Sequence, residues 1–274
     1  MPGPVQSIER AAAILRLLAR GSGRLGVGEI ATSLGLAKGT THGILRTLQG
    51  VGFVEQDKAS GKYQLGAALL HLGTSYLDVN ELRSRAINWA DALASRSGEA
   101  VRIGTLLDGK VLVVHHVFRP DDSLQTLDVG ALLPLHATAL GKILLAFDAD
   151  AATVLQQSGQ LAGQQSGQQS GSPAPEPILE QFTRRTLTTG AALGRAITQV
   201  REQGWAAELE ESTPGQASIA APIRGYGGLV VGAISIAGAV DRVCLTAEQP
   251  DPVLVAFVQN AARAISRDLG AGRW

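Results

Sequence analysis

Apolar residues recur at three- and four-residue spacing from Ile8 through Ala11, Ala12 and Leu15 to Leu18, which predicts one buried helix face, with Ser7 able to cap its start. Gly21 and Gly23 end it. A second, short helix is predicted from Val27, with Ile30, Ala31 and Leu34 on one side. It stops at Gly35, where glycine takes a left-handed C-cap at little cost. A third follows from Ala37. Thr41, Ile44, Leu45 and Leu48 form its apolar face, while Lys38, Gly39, Thr40, Gly43, Arg46 and Thr47 lie largely on the other. Residues 53–56 and 62–65 then read as two short strands around a polar loop ending in Gly61. Three helices and a hairpin in that order have the plan of a winged helix-turn-helix, mostly α with a β wing.

Beyond this head, residues 67–76 predict a helix, and Asn80 can cap another with Leu82, Ala86, Trp89 and Leu93 on one stripe. These are linker or dimer-contact elements. After Gly98 the period changes to two: residues 101–107 and 111–117 flank Asp108-Gly109, a two-residue hairpin signal. Residues 124–129 predict another strand and 138–147 a helix. A further helix carries Leu193, Ala196, Ile197 and Val200 and closes at Gly204. Strands are predicted at 218–223 and 229–237, and an amphipathic helix runs from Leu254 to Leu269. Strands mixed with helices imply an α+β second domain. The expected division is a head over 1–66, a linker and dimerisation helix over 67–79, and a second domain over 80–274. Residues 156–172 hold seven Gln, four Ser and four Gly, with three prolines just beyond; they cannot bury a core and read as a flexible insertion over 156–177.

Composition narrows the class. The 274 residues suit two domains, and 45% apolar with 18% charged residues is a folding mixture. Without an apolar run long enough to span a bilayer, or a basic and apolar leader, a cytoplasmic location is expected. A single cysteine, Cys244, excludes an intrachain disulfide and a multi-cysteine zinc site. Net charge is zero, yet residues 1–75 carry eight Lys or Arg against four Asp or Glu. A basic end on an otherwise acidic chain points to a polyanion as its partner.

The third helix supplies the chemistry for such a partner. A helix entering a major groove needs small side chains, so that its backbone approaches closely, together with phosphate binders and base readers. Lys38, Gly39, Thr40, Thr41, His42 and Arg46 meet that need, and Lys62 on the wing is a candidate phosphate contact. The competing reading is a three-helix packing module with a solvated face. Gly21-Ser22-Gly23-Arg24-Leu25-Gly26 spells a dinucleotide fingerprint, but a helix and not a strand runs into it, so no cofactor is expected. His115 and His116 are neighbours on a strand and point to opposite faces, so they do not share a metal ion. His136 lies where the chain enters a helix whose free N–H groups suit an anion; His136 or Thr138 capping that helix is the alternative. The acids Glu208, Glu210 and Glu211 are either a solvated strand edge or, with His136, the centre of a small-molecule enzyme with an accessory helical head. No nucleophile or metal constellation accompanies them, so neither a catalytic residue nor a metal site is expected.

The stretches 7–11, 29–42 and 52–66, with Leu135-His136-Ala137-Thr138-Ala139-Leu140-Gly141-Lys142 and residues 204–223 and 232–236, resemble the IclR family of bacterial transcriptional regulators. Residues 35–49, 54–57, 76–79 and 115–122 are similar to its actinobacterial glycerol-operon subgroup. The resemblance implies a winged head, a dimerising linker helix and a GAF-like effector-binding domain, assembled as a homodimer or dimer of dimers on double-stranded operator DNA. It places the effector pocket on Thr138, Ala139, Leu140, Glu208, Ser218, Ser235 and Ala237. Glu208 stands where the family usually has aspartate, and Ala237 where serine is common. For the subgroup, glycerol 3-phosphate is the implied effector, with its phosphate at the helix start near Thr138.

Overall fold

The computed structural model describes residues 5–19, 23–70, 72–73, 81–121, 123–148, 179–246 and 248–272. Two compact units, Met1–Val79 and Asn80–Trp274, account for the chain. The helix stop at Gly21, the Asn80 cap, most of the 67–79 linker helix and the whole 156–177 insertion lie outside the described residues.

In the first unit, α1 (Gln6–Leu18), α2 (Val27–Leu34) and α3 (Lys38–Gly50) are followed by the antiparallel hairpin of β1 (Val54–Gln56) and β2 (Tyr63–Leu65). Ile14, Leu18, Ile30, Leu45, Leu48, Val54 and Tyr63 form its core. Leu25 and Tyr63 exchange backbone hydrogen bonds of 3.0 and 2.8 Å, which ties the loop before α2 to the wing. Gly35 takes φ 63°, the left-handed cap expected of it. Two details of α1 differ from expectation. The helix starts before Ser7, with Val5 at the cap position, and Ile8 is 67% exposed while Ile14 is fully buried. The docking of α3 and the wing falls on the C-terminal half of α1, so its first turn projects past the core.

The second unit opens with α4 (Glu81–Ser97), β3 (Ala100–Leu107), β4 (Lys110–Val117), β5 (Leu132–Pro134) and α5 (Ala139–Phe147). It continues with α6 (Gly190–Gln203), β6 (Ala206–Leu209), β7 (Gln216–Arg224) and β8 (Val230–Ala239). α7 (Val240–Val243), the short pair β9 (Cys244–Thr246) and β10 (Gln249–Pro250), and α8 (Pro252–Asp268) complete it. β3 to β8 form a six-stranded antiparallel sheet in the order β5-β4-β3-β8-β7-β6. The β3–β4 turn has positive φ at both Asp108 and Gly109, as its two-residue hairpin requires.

The two sheet faces differ in side-chain size. Ile103, Ile219, Ile234 and Ile236 are fully buried on one. A Cβ on Gly232, which shares that face, would lie 2.6 Å from Leu82 of α4. The other face carries Ala206, Ala220 and Ala233 under α5 and α6. A Cβ at Gly104 there would meet Val111 at 2.4 Å and Leu140 of α5 at 3.4 Å. Small residues thus let α5 lie close to the sheet, and bulky ones fill the side of α4 and α8.

Three expectations are corrected. Residues 124–129 are not a strand; Leu124 is fully exposed, and the Asp128 N–H and carboxylate turn inward to His116 and Arg102. The pairing strand is β5. Trp89 lies at the edge of the α4 stripe, which Ala90 and Ala94 complete, and its Nε1–H donates to Asp268 at 2.8 Å. The acids at 208–211 are not a solvated edge, because Glu208 on β6 and Glu211 just after it are both buried.

Candidate functional site

On α3, the core-facing residues Thr41, Leu45 and Leu48 are buried, while Lys38, Gly39, Thr40, His42, Arg46 and Lys38's neighbour Ala37 are exposed. Thr41 is therefore corrected: it is 0% exposed, and its hydroxyl donates to the Ala37 carbonyl at 3.1 Å, so it belongs to the core and not to the groove face. A Cβ added to Gly39 or Gly43 would meet nothing within 4 Å. Internal packing does not demand those glycines, whereas close approach to a flat or grooved partner would use them.

Lys62 begins the returning side of the wing, 44% exposed, with its ammonium 3.7 Å from the Glu29 carboxylate. Glu29 also accepts the Gly26 N–H at 2.5 Å, and that bond, aided by Lys62, holds its carboxyl below the usual range. Lys62 thus has an acidic neighbour on α2. Arg24 similarly stands 3.7 Å from Asp57. Among the described residues no such ion pair engages Lys38 or Arg46.

In the second unit, the register of the sheet assembles the other group of residues. Ala100, Ala237, Ser218 and Glu208 are successive cross-strand partners, and Arg102 with Ser235 is the pair two residues along. Residues in such rows project from one face. There, beside the start of α5, lies a cavity of about 320 Å³. Thr138, Leu140, Glu208, Ser218, Ser235 and Ala237 line it. Ala139 does not; it is fully buried in the α5–α6 core, because the turn from Thr138 into the helix points it away. The walls also include Arg102, Asp128, Phe182, Ser212, Thr213 and Gln216. Sequence reasoning missed these; the alternation along β3, which puts Arg102 on the face away from Ile103, is the local signal that could have found one of them.

The helix start is capped by Thr138. Its hydroxyl accepts the Gly141 N–H at 3.1 Å and donates to the Pro134 carbonyl at 2.7 Å. Gly141 has no room for a side chain, since a Cβ would lie 2.2 Å from the Leu135 carbonyl oxygen. His136 is not the cap. Its Nε2–H donates to the Glu180 carbonyl at 2.8 Å and its ring lies 5.7 Å from that of Phe182, so it fixes the segment that delivers Phe182 to the cavity.

Glu208 is 3% exposed. One carboxylate oxygen accepts the N–H groups of Glu211 and Ser212 at 2.6 and 3.0 Å, and the other accepts the Ser218 hydroxyl at 3.0 Å. Burial raises its pKa, opposed by those hydrogen bonds. Behind it, Lys142 of α5 donates to Glu211 and, at 3.0 Å, to the Ala207 carbonyl. Burial also raises the Glu211 pKa, against the pull of Lys142. Such a wall of hydroxyls, two carboxylates and one guanidinium suits a small hydroxylated ligand. Among the described residues no cluster of three or more His, Cys, Asp or Glu could hold a metal ion.

Known proteins resemble the chain over nearly its whole length. Residues 7–58 match the IclR helix-turn-helix domain, and residues 74–166 and 172–267 match the bacterial transcriptional regulator IclR C-terminal domain. The glycerol operon regulatory protein of Streptomyces coelicolor is 54% identical over 270 residues, 98% of each chain. Its namesake from Streptomyces griseus is 52% identical over the same share. The regulator XynR of Escherichia coli is 32% identical, over 97% of this chain and 98% of its own. Among solved structures, a transcriptional regulator from Alicyclobacillus acidocaldarius superposes with a TM-score of 0.78 at 25% identity, covering 97% of this chain and 99% of that one.

Proposed function

Since the chain belongs to the IclR family of bacterial transcriptional regulators, we propose that it represses a catabolic operon, that of glycerol utilisation foremost, and that a small metabolite in the cavity of the second unit releases it from DNA. Membership makes the protein a DNA-binding transcriptional regulator and sets aside the enzyme reading of His136 and Glu208–Glu211. The observation that carries the operator-binding reading is the outer face of α3, where Lys38, Gly39, Thr40, His42 and Arg46 are exposed together above a packed core. α3 enters the major groove, and Lys62 on the wing meets a phosphate. Residues 1–66 form the head, 67–79 link and dimerise, and 80–274 form the effector domain. The working form is a cytoplasmic homodimer or dimer of dimers, whose two-fold axis matches inverted half-sites. No helix among the described residues is long and apolar enough to cross a membrane.

Mobility shift on the DNA upstream of the gene tests this reading. Arg46→Ala should cost about 1 to 3 kcal/mol and relax base preference at one position, whereas Lys62→Ala should weaken all sequences alike and flatten the salt dependence. Unchanged operator affinity in both variants would mean that the DNA face lies elsewhere.

The effector is a small hydroxylated metabolite, with glycerol 3-phosphate the first candidate. Support comes from the hydroxyl groups of Ser212, Thr213, Ser218 and Ser235 on the cavity wall and from the name of the Streptomyces relatives. Isothermal titration with that ester checks it, and binding that persists when Ser218 and Ser235 are both replaced by bulky valines would place the ligand outside this cavity.

A further inference from the structure

Among the described residues Arg102 is the only cationic one on the wall of the effector cavity. Its Nε–H donates to Asp128 at 2.7 Å, and its two terminal nitrogens have no partner among the described residues. The side chain is 30% exposed, so those nitrogens are not sealed in the core. Cross-strand pairing with Ser235 sets Arg102 beside a hydroxyl of the cavity, on the same sheet face as Ser218 and Glu208. A guanidinium anchored through Nε presents the rest of its planar fork in a fixed direction, the geometry that takes two oxygens of a phosphate or carboxylate.

We propose that Arg102 reads the anionic end of the effector, with Asp128 as the positioning residue that aims its fork and Glu208 taking the hydroxyl end. This rests on the reading of the cavity as the effector site. Phosphate and carboxylate share the required chemistry, an anionic group with at least two exposed oxygens. The carboxylate of Glu208 repels such a group, whereas that of Asp128 is taken up by Arg102; without Arg102 the wall holds acids and hydroxyls only and favours a neutral polyol. The start of α5 is the competing anion site, because the N–H groups of Ala139 and Leu140 have no acceptor within the helix.

Isothermal titration of the full-length protein with glycerol, glycerate and glycerol 3-phosphate separates these sites. In the wild type, at least one of the two anions should bind about ten- to a hundredfold more tightly than glycerol, the scale of one charge-assisted hydrogen-bonded pair. Arg102→Gln should remove that preference in a variant that still shifts operator DNA, while Arg102→Lys, which keeps the charge without the fork, should retain part of it. Asp128→Asn should weaken the preference with the guanidinium still in place, which provides an arm that does not depend on Arg102→Gln folding. Glu208→Gln should strengthen anion binding, the opposite sign. If Arg102→Gln still shifts operator DNA and keeps the full wild-type preference, the inference is overturned while the cavity reading stands. If none of the three compounds binds a wild type that shifts operator DNA, the glycerol-class reading fails and carries the inference with it.

Discussion

At the scale of single residues, Glu208 is the clearest case of a side chain whose role depends on its neighbours. A carboxyl 3% exposed and held by two backbone N–H groups and one hydroxyl is pulled both ways, and burial prevails, raising its pKa. The folded state then binds more protons than the unfolded chain between a glutamate's ordinary value of 4.5 and the raised value. In that window stability falls as pH rises. Glu211, raised by burial as well, adds to the same slope. His115 and His116, whose pKa values burial lowers, oppose this slope, so the Glu208 part is read as a difference: the urea midpoint of the ligand-free protein relative to that of Glu208→Gln, which keeps the shape and the acceptor for Glu211 and Ser212, should fall as pH rises above 4.5. A steeper decline in the variant would contradict the direction assigned to Glu208.

At the scale of elements, helices α3 and α5 use glycine for opposite reasons. Gly141 in α5 is required from within, because any Cβ would collide with the Leu135 carbonyl. Gly141→Ala should lower the stability of the second unit by more than about 2 kcal/mol through overpacking, seen as an earlier thermal transition. Gly43 in α3 has open space around it. Gly43→Ala should stabilise the head by roughly 0.5 to 1 kcal/mol through helix propensity. The same methyl should weaken operator binding if the helix backbone approaches the groove, so melting and mobility shift would move in opposite senses. A variant that gains stability with operator affinity unchanged would place the helix farther from the bases.

At the scale of the whole molecule, the proposed regulation is a coupling free energy between the operator face and the cavity. A metabolite that lowers operator affinity tenfold carries about 1.4 kcal/mol of coupling, and operator DNA must then lower metabolite affinity by the same factor. Titrating the effector with and without saturating operator measures both arms, and unequal factors would show that the two ligands act on different species, such as dimer and tetramer. The charge distribution adds a second whole-chain property. An excess of four positive charges in residues 1–75 on a chain of zero net charge predicts operator binding that falls steeply with salt while effector binding at the second unit varies far less.

The amino-acid order by itself determined the elements and their succession. Helical spacing marked α2, α3, α6 and α8, a glycine marked the left-handed end of α2, and Asp108-Gly109 marked the central hairpin. Each of these is a local preference, decided within a few residues by sterics and by which side must be dry. Motif likeness extended this to the cavity: of the seven residues it named, six, Thr138, Leu140, Glu208, Ser218, Ser235 and Ala237, line it. Tertiary structure decided the remainder. Ala139 joined the core, Glu208 went from apparent strand edge to buried wall, and Arg102 with Asp128 entered the cavity from β3 and from an irregular loop 26 residues further along. The reason is that cross-strand register and the close approach of α5 to a small-residue sheet face bring together residues far apart in the chain, and no local pattern encodes which of them will meet.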